Sequence, residues 1–165
     1  GTSGTAFRNK DTGEVILAYT GTNFSFRPEV LNDVGTDLNE VIIPGREHYK
    51  PAYEFYERVR AKYGNNVILT GHSLGGNIAQ RVALEYNVQK TIVYNSAPLY
   101  ISEVSKGSTG YDKEAPDIEE RKRINEAYEE QEKIKELEKK YTGETIRIRS
   151  ESDWWVEKIS EYSIL

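Results

Sequence analysis

The hydrophobic positions of the chain follow two alternating patterns. Short apolar runs rich in β-branched residues predict strands, and they cover residues 5–8, 15–19, 67–69, 91–94 and 145–148. Apolar residues at helical spacing predict helices, and they cover residues 34–43, 49–63, 78–86 and 114–141. Because strands and helices alternate, the pattern predicts an α/β fold with three layers and a mainly parallel sheet. The turn Asp11-Thr12-Gly13 predicts a hairpin, so we expect the first two strands to form an antiparallel edge.

The last long helical segment, about residues 113–141, differs from the others in its charge. It holds many Glu, Lys and Arg residues, and Ile134, Leu137 and Tyr141 belong to only a thin apolar stripe. Such a pattern is typical of a solvated helix that packs along one edge. A surface for a partner or a membrane is the alternative. We interpret the segment as an insertion in a single domain that spans residues 1–165.

The strongest motif of the chain is Gly71-His72-Ser73-Leu74-Gly75, which matches G-x-S-x-G. It follows the apolar run 67–69 and precedes a helical pattern that begins with two glycines. Strand, motif and helix in this order predict a nucleophile elbow, in which Ser73 sits on a strained turn. The backbone N–H of Leu74 would then be one donor of an oxyanion hole. A purely structural turn is the alternative interpretation.

A serine nucleophile needs a base, an acid that orients the base, and a second oxyanion donor. Asp153 follows the strand 145–148, where the acid of an α/β-hydrolase is expected, and Glu151 is its nearest rival. Thr22 lies in the loop after an early strand and could donate to the oxyanion, or be an ordinary turn residue. The two histidines, His48 and His72, both precede Ser73, and we interpret neither as the base.

Composition narrows the classes of function. The 165 residues carry a net charge of −5, which argues against binding nucleic acid. The chain has no cysteine, so disulfides and cysteine-based zinc sites are excluded, and we expect neither a metal nor a cofactor. We expect no transmembrane segment, because no apolar run has the required length. The chain starts with Gly and contains no Met, which suggests a processed or excised piece of a longer protein.

Several segments resemble class 3 lipases, the fungal-lipase-like branch of the α/β-hydrolases. They occur in the order typical of that family, and they are residues 15–22, 32–38, 48–53, 70–76, 95–98 and 152–153. The resemblance implies an α/β-hydrolase sandwich with Ser73 and Asp153 as catalytic residues and Thr22 and Leu74 as oxyanion donors. It also implies that residues 23–32 form a lid, which could contact a lipid surface.

The resemblance further implies a catalytic histidine well beyond Asp153. We therefore expect a C-terminal segment that is missing here, or a partner chain, to supply it. The expected activity is that of a serine ester hydrolase, a lipase or phospholipase acting on lipid or other acyl esters, in a secreted bacterial protein. The alternative is a catalytically inactive lipase-like module that binds lipid or a protein partner.

Overall fold

The computed structural model describes residues 3–20, 46–97, 99 and 118–150. The predicted helix at 34–43 and the predicted lid at 23–32 lie outside these ranges. The described elements are, in chain order, β1 (Ser3–Arg8), β2 (Val15–Thr20), α1 (Arg46–Tyr63), β3 (Val67–His72), α2 (Leu74–Tyr86), β4 (Lys90–Tyr94), α3 (Ile118–Lys140) and β5 (Glu144–Ile148). The predicted strands are all present, each within a few residues of its expected limits.

The five strands form one sheet in the order β1-β2-β3-β4-β5. The pair β1 and β2 is antiparallel, and the other three pairs are parallel. The predicted α/β class with a mainly parallel sheet is therefore confirmed, as is the antiparallel edge. Since consecutive parallel strands are neighbours, the carboxyl ends of β2, β3, β4 and β5 meet along one edge, where open α/β sheets bind their ligands.

The core lies between one face of the sheet and the three described helices. Leu17 and Leu69 are neighbours on this face and have no exposed surface. They pack in one cluster with Ile78 and Val82 of α2. Side chains at alternate positions of a strand point to the same face of the sheet, so Leu17 and Leu69 both point toward α2.

Helix α2 lies at the centre of the helical layer. Every residue from Gly75 to Leu84 is buried, because α1 and α3 pack on its two sides. The helix ends at Asn87, which adopts the left-handed conformation with φ 50° that commonly terminates helices. A helix buried on all sides carries few polar or charged side chains in most proteins, yet Gln80 and Arg81 of α2 are both buried.

Helix α3 is the charge-dense segment, and its helical nature is confirmed. Its apolar stripe packs against α2, with Ile134 fully buried beside Leu84 and Leu99. Its first residue, Ile118, is 87% exposed. The expected solvated face is present. Glu130 and Gln131 are nevertheless buried, although the apolar stripe in the sequence does not include them. None of the helices that the structure describes is long and apolar enough to span a membrane.

Candidate active site

Ser73 occupies the sharp turn between β3 and α2. Its backbone angles are φ 55° and ψ −123°, a conformation that costs a non-glycine residue roughly 1–3 kcal/mol and persists only where the surroundings impose it. The Ser73 N–H donates to the carbonyl of Tyr94 at 3.1 Å, and the Ser73 carbonyl accepts from Gly76 and Ala97 at 3.0 Å each. Strand β4, the loop after it and the first turn of α2 therefore hold the serine in this strained position.

Two glycines make this turn possible. A Cβ at Gly71 would overlap the carbonyl of Gly75 and lie 2.7 Å from the nitrogen of Gly76. A Cβ at Gly76 would lie 2.7 Å from both Cβ and Oγ of Ser96. Glycine at these positions lets α2 approach β3 and the loop after β4 more closely than any other residue would.

The positive end of α2 lies at the serine. Leu74 is the first residue of the helix, and the first turn contains no acidic side chain. The N–H groups at a helix N-terminus carry a partial positive charge, which stabilises a negative oxygen nearby. The position of Leu74 is consistent with the oxyanion donor expected from the sequence.

The two histidines lie on different elements. His48 is in the first turn of α1, where its ring packs edge to face on Tyr49 at 5.7 Å between centroids, and burial lowers its pKa. His72 pairs with Tyr94 and is exposed, on the sheet face opposite the helices because it is next to inward-facing Gly71. That neither histidine is the base stays a prediction.

Thr22, Asp153 and Glu151 lie outside the described residues, so their roles stay predictions. The chain that leads to Asp153 is described as far as Ser150. Asn95, directly after β4, donates its N–H to the carbonyl of Ile148 at 2.8 Å. The Asn95 Oδ1 accepts from the N–H of Ser150 at 2.7 Å. The end of β5 is therefore fixed beside the end of β4, on the same sheet edge as Ser73.

A polar chain that the sequence analysis missed links α2 to both of these strand ends. The Gln80 amide donates to Ser96 Oγ at 2.7 Å, and its carbonyl accepts from Arg147 Nε at 2.7 Å. Gln80 is 3% exposed, whereas Ser96 is half-buried and Arg147 is exposed, so both bonds are shielded from water only at their Gln80 end. The sequence does contain a sign of this role, because Gln80 stands between apolar positions of the helix. A buried amide almost always has hydrogen-bond partners.

A second missed cluster lies behind the elbow, between α2 and the other two helices. Arg81 has no exposed surface, and it pairs with Glu130 of α3 at 2.6 Å and with Glu85 at 2.9 Å. Its guanidinium also lies over the Tyr49 ring at 5.7 Å. The Tyr49 hydroxyl in turn donates to Asn77 Oδ1 at 2.8 Å. This cluster connects the charged helix with the first turn of α2.

Acid should weaken the fold through Glu85. Burial alone would raise the pKa of this carboxyl, but Arg81 and Lys133 outweigh burial, and the pKa is lowered from its ordinary value of 4.5. Ionised Glu85 therefore contributes its full stabilisation of the fold above pH 4.5, the ordinary pKa of the group. This stabilisation is lost as the pH falls through the lower pKa that Glu85 has in the folded state. We expect Glu85→Gln to reduce the loss of stability between about pH 6 and pH 3, measured by urea unfolding. If the parent chain and Glu85→Gln lost the same stability over this pH range, the prediction would be wrong. The control is Glu119→Gln, which changes an exposed residue of α3.

A cavity of about 210 Å³ lies between α2, α3 and β5, next to Gln80. Leu84 and Leu99 supply its apolar wall, and Glu138 and Arg147 are also part of the lining. Its volume is below the roughly 300–1,000 Å³ of typical ligand sites. Within the described ranges, no three His, Cys, Asp or Glu side chains are grouped so as to hold a metal ion.

Comparison with known proteins identifies a family that matches most of the chain. The model of a phospholipase family, the Tle-like phospholipase domain, matches residues 4–136, which include Ser73, all of β2–β4, nearly all of β1 and most of α3. No curated protein and no solved structure matches the chain significantly. The match supports a lipase or phospholipase type of family in general, and with it a lipid ester hydrolase type of function. The chain belongs to the Tle-like phospholipase domain family.

Proposed function

We propose that this protein is a serine hydrolase that cleaves acyl esters of phospholipids or related lipids, with Ser73 as its nucleophile. The observation that carries the proposal is the strained backbone of Ser73 at the N-terminus of α2. The fold imposes this conformation through hydrogen bonds from three sides. Backbone strain of this kind concentrates at functional sites. Membership of the phospholipase family supports a lipid ester as the class of substrate.

In the proposed mechanism, Ser73 Oγ attacks the ester carbonyl while a histidine accepts its proton. The N–H of Leu74 and the backbone or hydroxyl of Thr22 stabilise the oxyanion. The histidine then donates the proton to the leaving alcohol, and water hydrolyses the acyl-enzyme by the reverse sequence of proton transfers. Asp153 orients this histidine, which we take from outside these 165 residues, on a downstream segment or a partner chain.

The finer parts of the proposal come from the resemblance to class 3 lipases. They are the role of Thr22, that of Asp153, and a lid at residues 23–32 whose Phe24 and Phe26 would face acyl chains at a lipid surface. Lid opening would then expose Ser73 to its substrate. A secreted bacterial origin belongs to the same proposal.

Labelling with a fluorophosphonate tests the nucleophile. With imidazole added in place of the histidine that this chain lacks, we expect the adduct to map to Ser73 by mass spectrometry and to be absent in Ser73→Ala, since the probe reacts with activated serines. Ser3→Ala, which removes an exposed serine of β1, should label like the parent chain. An adduct spread over several serines would count against a specific nucleophile.

Added imidazole distinguishes a chain that lacks only its catalytic base from a chain that has no active site. Imidazole has the ionisation range of a histidine side chain, so it can stand in for the general base. We expect it to raise hydrolysis of a phosphatidylcholine in micelles by the parent chain well above the rate with Ser73→Ala, which reports the uncatalysed background. Equal rates in the two proteins, together with no labelling, would reject the hydrolase and favour an inactive lipid-binding module.

A further inference from the structure

The segment that leads out of β4 contacts the peptide groups on both sides of Ser73. The carbonyl of Tyr94 accepts from the Ser73 N–H at 3.1 Å, and the N–H of Ala97 donates to the Ser73 carbonyl at 3.0 Å. We call residues 94–97 the clamp. Because the clamp does not belong to α2, its two hydrogen bonds fix the backbone of Ser73 relative to the sheet as well as to the helix.

The hydrogen bond from Ala97 also affects the candidate oxyanion donor. The carbonyl of Ser73 and the N–H of Leu74 belong to one planar trans peptide group, so they point in opposite directions. Gly76 and Asn77 also donate to this carbonyl, at 3.0 and 3.2 Å, but both belong to α2 and move with it. The bond from Ala97 therefore orients the Leu74 N–H relative to the sheet.

The buried side chain of Gln80 anchors the clamp to α2. Its amide nitrogen donates to Ser96 Oγ at 2.7 Å, and the Ser96 hydroxyl donates to the carbonyl of Ala97 at 2.8 Å. The amide oxygen of Gln80 accepts from Arg147 Nε at 2.7 Å. Since an arginine side chain can only donate, this bond determines that the nitrogen of the amide faces Ser96. Gln80 therefore holds the clamp by a bond of defined direction.

We propose that Gln80 is a positioning residue for the oxyanion donor: through the clamp it orients the peptide group that Ser73 shares with Leu74. The inference rests on the proposed function, because an oxyanion forms only if Ser73 attacks an ester carbonyl. Asn95 also anchors the clamp, since its N–H donates to the carbonyl of Ile148 at 2.8 Å. Loss of the Gln80 amide should therefore loosen the clamp without releasing it.

An ester and its thiono analogue together test this role apart from any effect on folding. Sulfur accepts hydrogen bonds more weakly than oxygen. The ratio of hydrolysis rates for a short-chain phosphatidylcholine and for its analogue with C=S in place of the ester C=O therefore reports on the oxyanion donors. With imidazole added, we expect Gln80→Met to lower this ratio about tenfold, less than the roughly 10²–10³ that removal of one donor costs in kcat. A loss of folded protein would lower both rates equally and leave the ratio unchanged.

Three further variants complete this experiment. Ser96→Ala should lower the ratio by a similar factor, and the double variant Gln80→Met with Ser96→Ala should lower it no further, because both residues act through one contact. Gln89→Met is the matched control, since this glutamine is exposed and lies just before β4, and it should keep the ratio of the parent chain.

Two results would overturn the inference, and they differ in what they say about the hydrolase. If the parent chain hydrolysed the ester faster than Ser73→Ala and Gln80→Met kept the ratio of the parent chain, the hydrolase would stand and the role of Gln80 would be rejected. If the parent chain were no faster than Ser73→Ala, the hydrolase and this inference would both be rejected.

Hydrogen exchange measures the clamp without any substrate. We expect the Ala97 N–H to exchange several-fold faster in Gln80→Met than in the parent chain, because the bond to the Ser73 carbonyl opens more often. The N–H of Leu69, which lies inside β3, should exchange at the same rate in both proteins. Equal exchange of Ala97 in the two proteins would show that Gln80 does not hold the clamp.

Discussion

Replacing Glu130 by alanine should lower the free energy of unfolding by about 3–5 kcal/mol, the range measured when one partner of a buried ion pair is removed. The carboxylate is 2% exposed and accepts from Arg81 Nε at 2.6 Å, and the side chain of Arg81 is fully buried. Without Glu130 the guanidinium keeps only Glu85, itself 27% exposed, as an anionic partner among the described residues. Urea unfolding followed by far-UV circular dichroism measures the loss.

An exposed pair on the same helix supplies the control. Glu136 and Lys139 are 2.7 Å apart, with side chains 61% and 71% exposed, and solvent-exposed pairs contribute about 0–1 kcal/mol. Glu136→Ala should therefore leave the urea midpoint nearly unchanged. The double variant Arg81→Met with Glu130→Leu should recover most of the stability, because apolar residues can replace a buried pair at little cost. A small loss in Glu130→Ala would show that α3 is held mainly by Ile134 and its neighbours.

The second large effect should come from Gly71→Ala, which we expect to abolish labelling of Ser73 and to lower stability by about 3 kcal/mol, the upper part of the range for overpacked sites. The added Cβ would overlap the carbonyl of Gly75. Because the overlapping atom belongs to the backbone of α2, no rotamer change can relieve the contact. The N-terminus of α2 would have to move away from β3, and the conformation of Ser73 would be lost. Labelling by the fluorophosphonate and urea unfolding measure the two effects.

Gly13→Ala separates the overlap from the general effect of replacing a glycine. Gly13 lies in the β1–β2 turn with φ +74°, and a Cβ there would meet nothing within 4 Å. Alanine should therefore cost only about 1 kcal/mol from the left-handed conformation, with labelling of Ser73 intact. Normal labelling in Gly71→Ala would mean that the turn tolerates a side chain, and the elbow geometry would no longer explain this glycine.

The sequence alone determined the elements and the position of the candidate nucleophile, because both depend on local patterns. The alternating period of the strands and the apolar spacing of the helices predicted the α/β class. The order of strand, G-x-S-x-G and helix placed Ser73 at an elbow, and the φ of 55° agrees with that prediction. Local chemistry was sufficient here because glycines, β-branched residues and helix starts constrain the backbone within a few residues.

Only the tertiary structure decided which polar residues support the elbow. Arg81 and Glu130 are 49 residues apart, and Gln80 and Arg147 are 67 residues apart. No periodicity relates such positions, so the sequence placed Glu130 in a solvated helix and gave Gln80 and Arg81 no role. The charge of a residue shows its need for a partner or water, but the packing of α2 between α1, α3 and the sheet determines which of the two it finds.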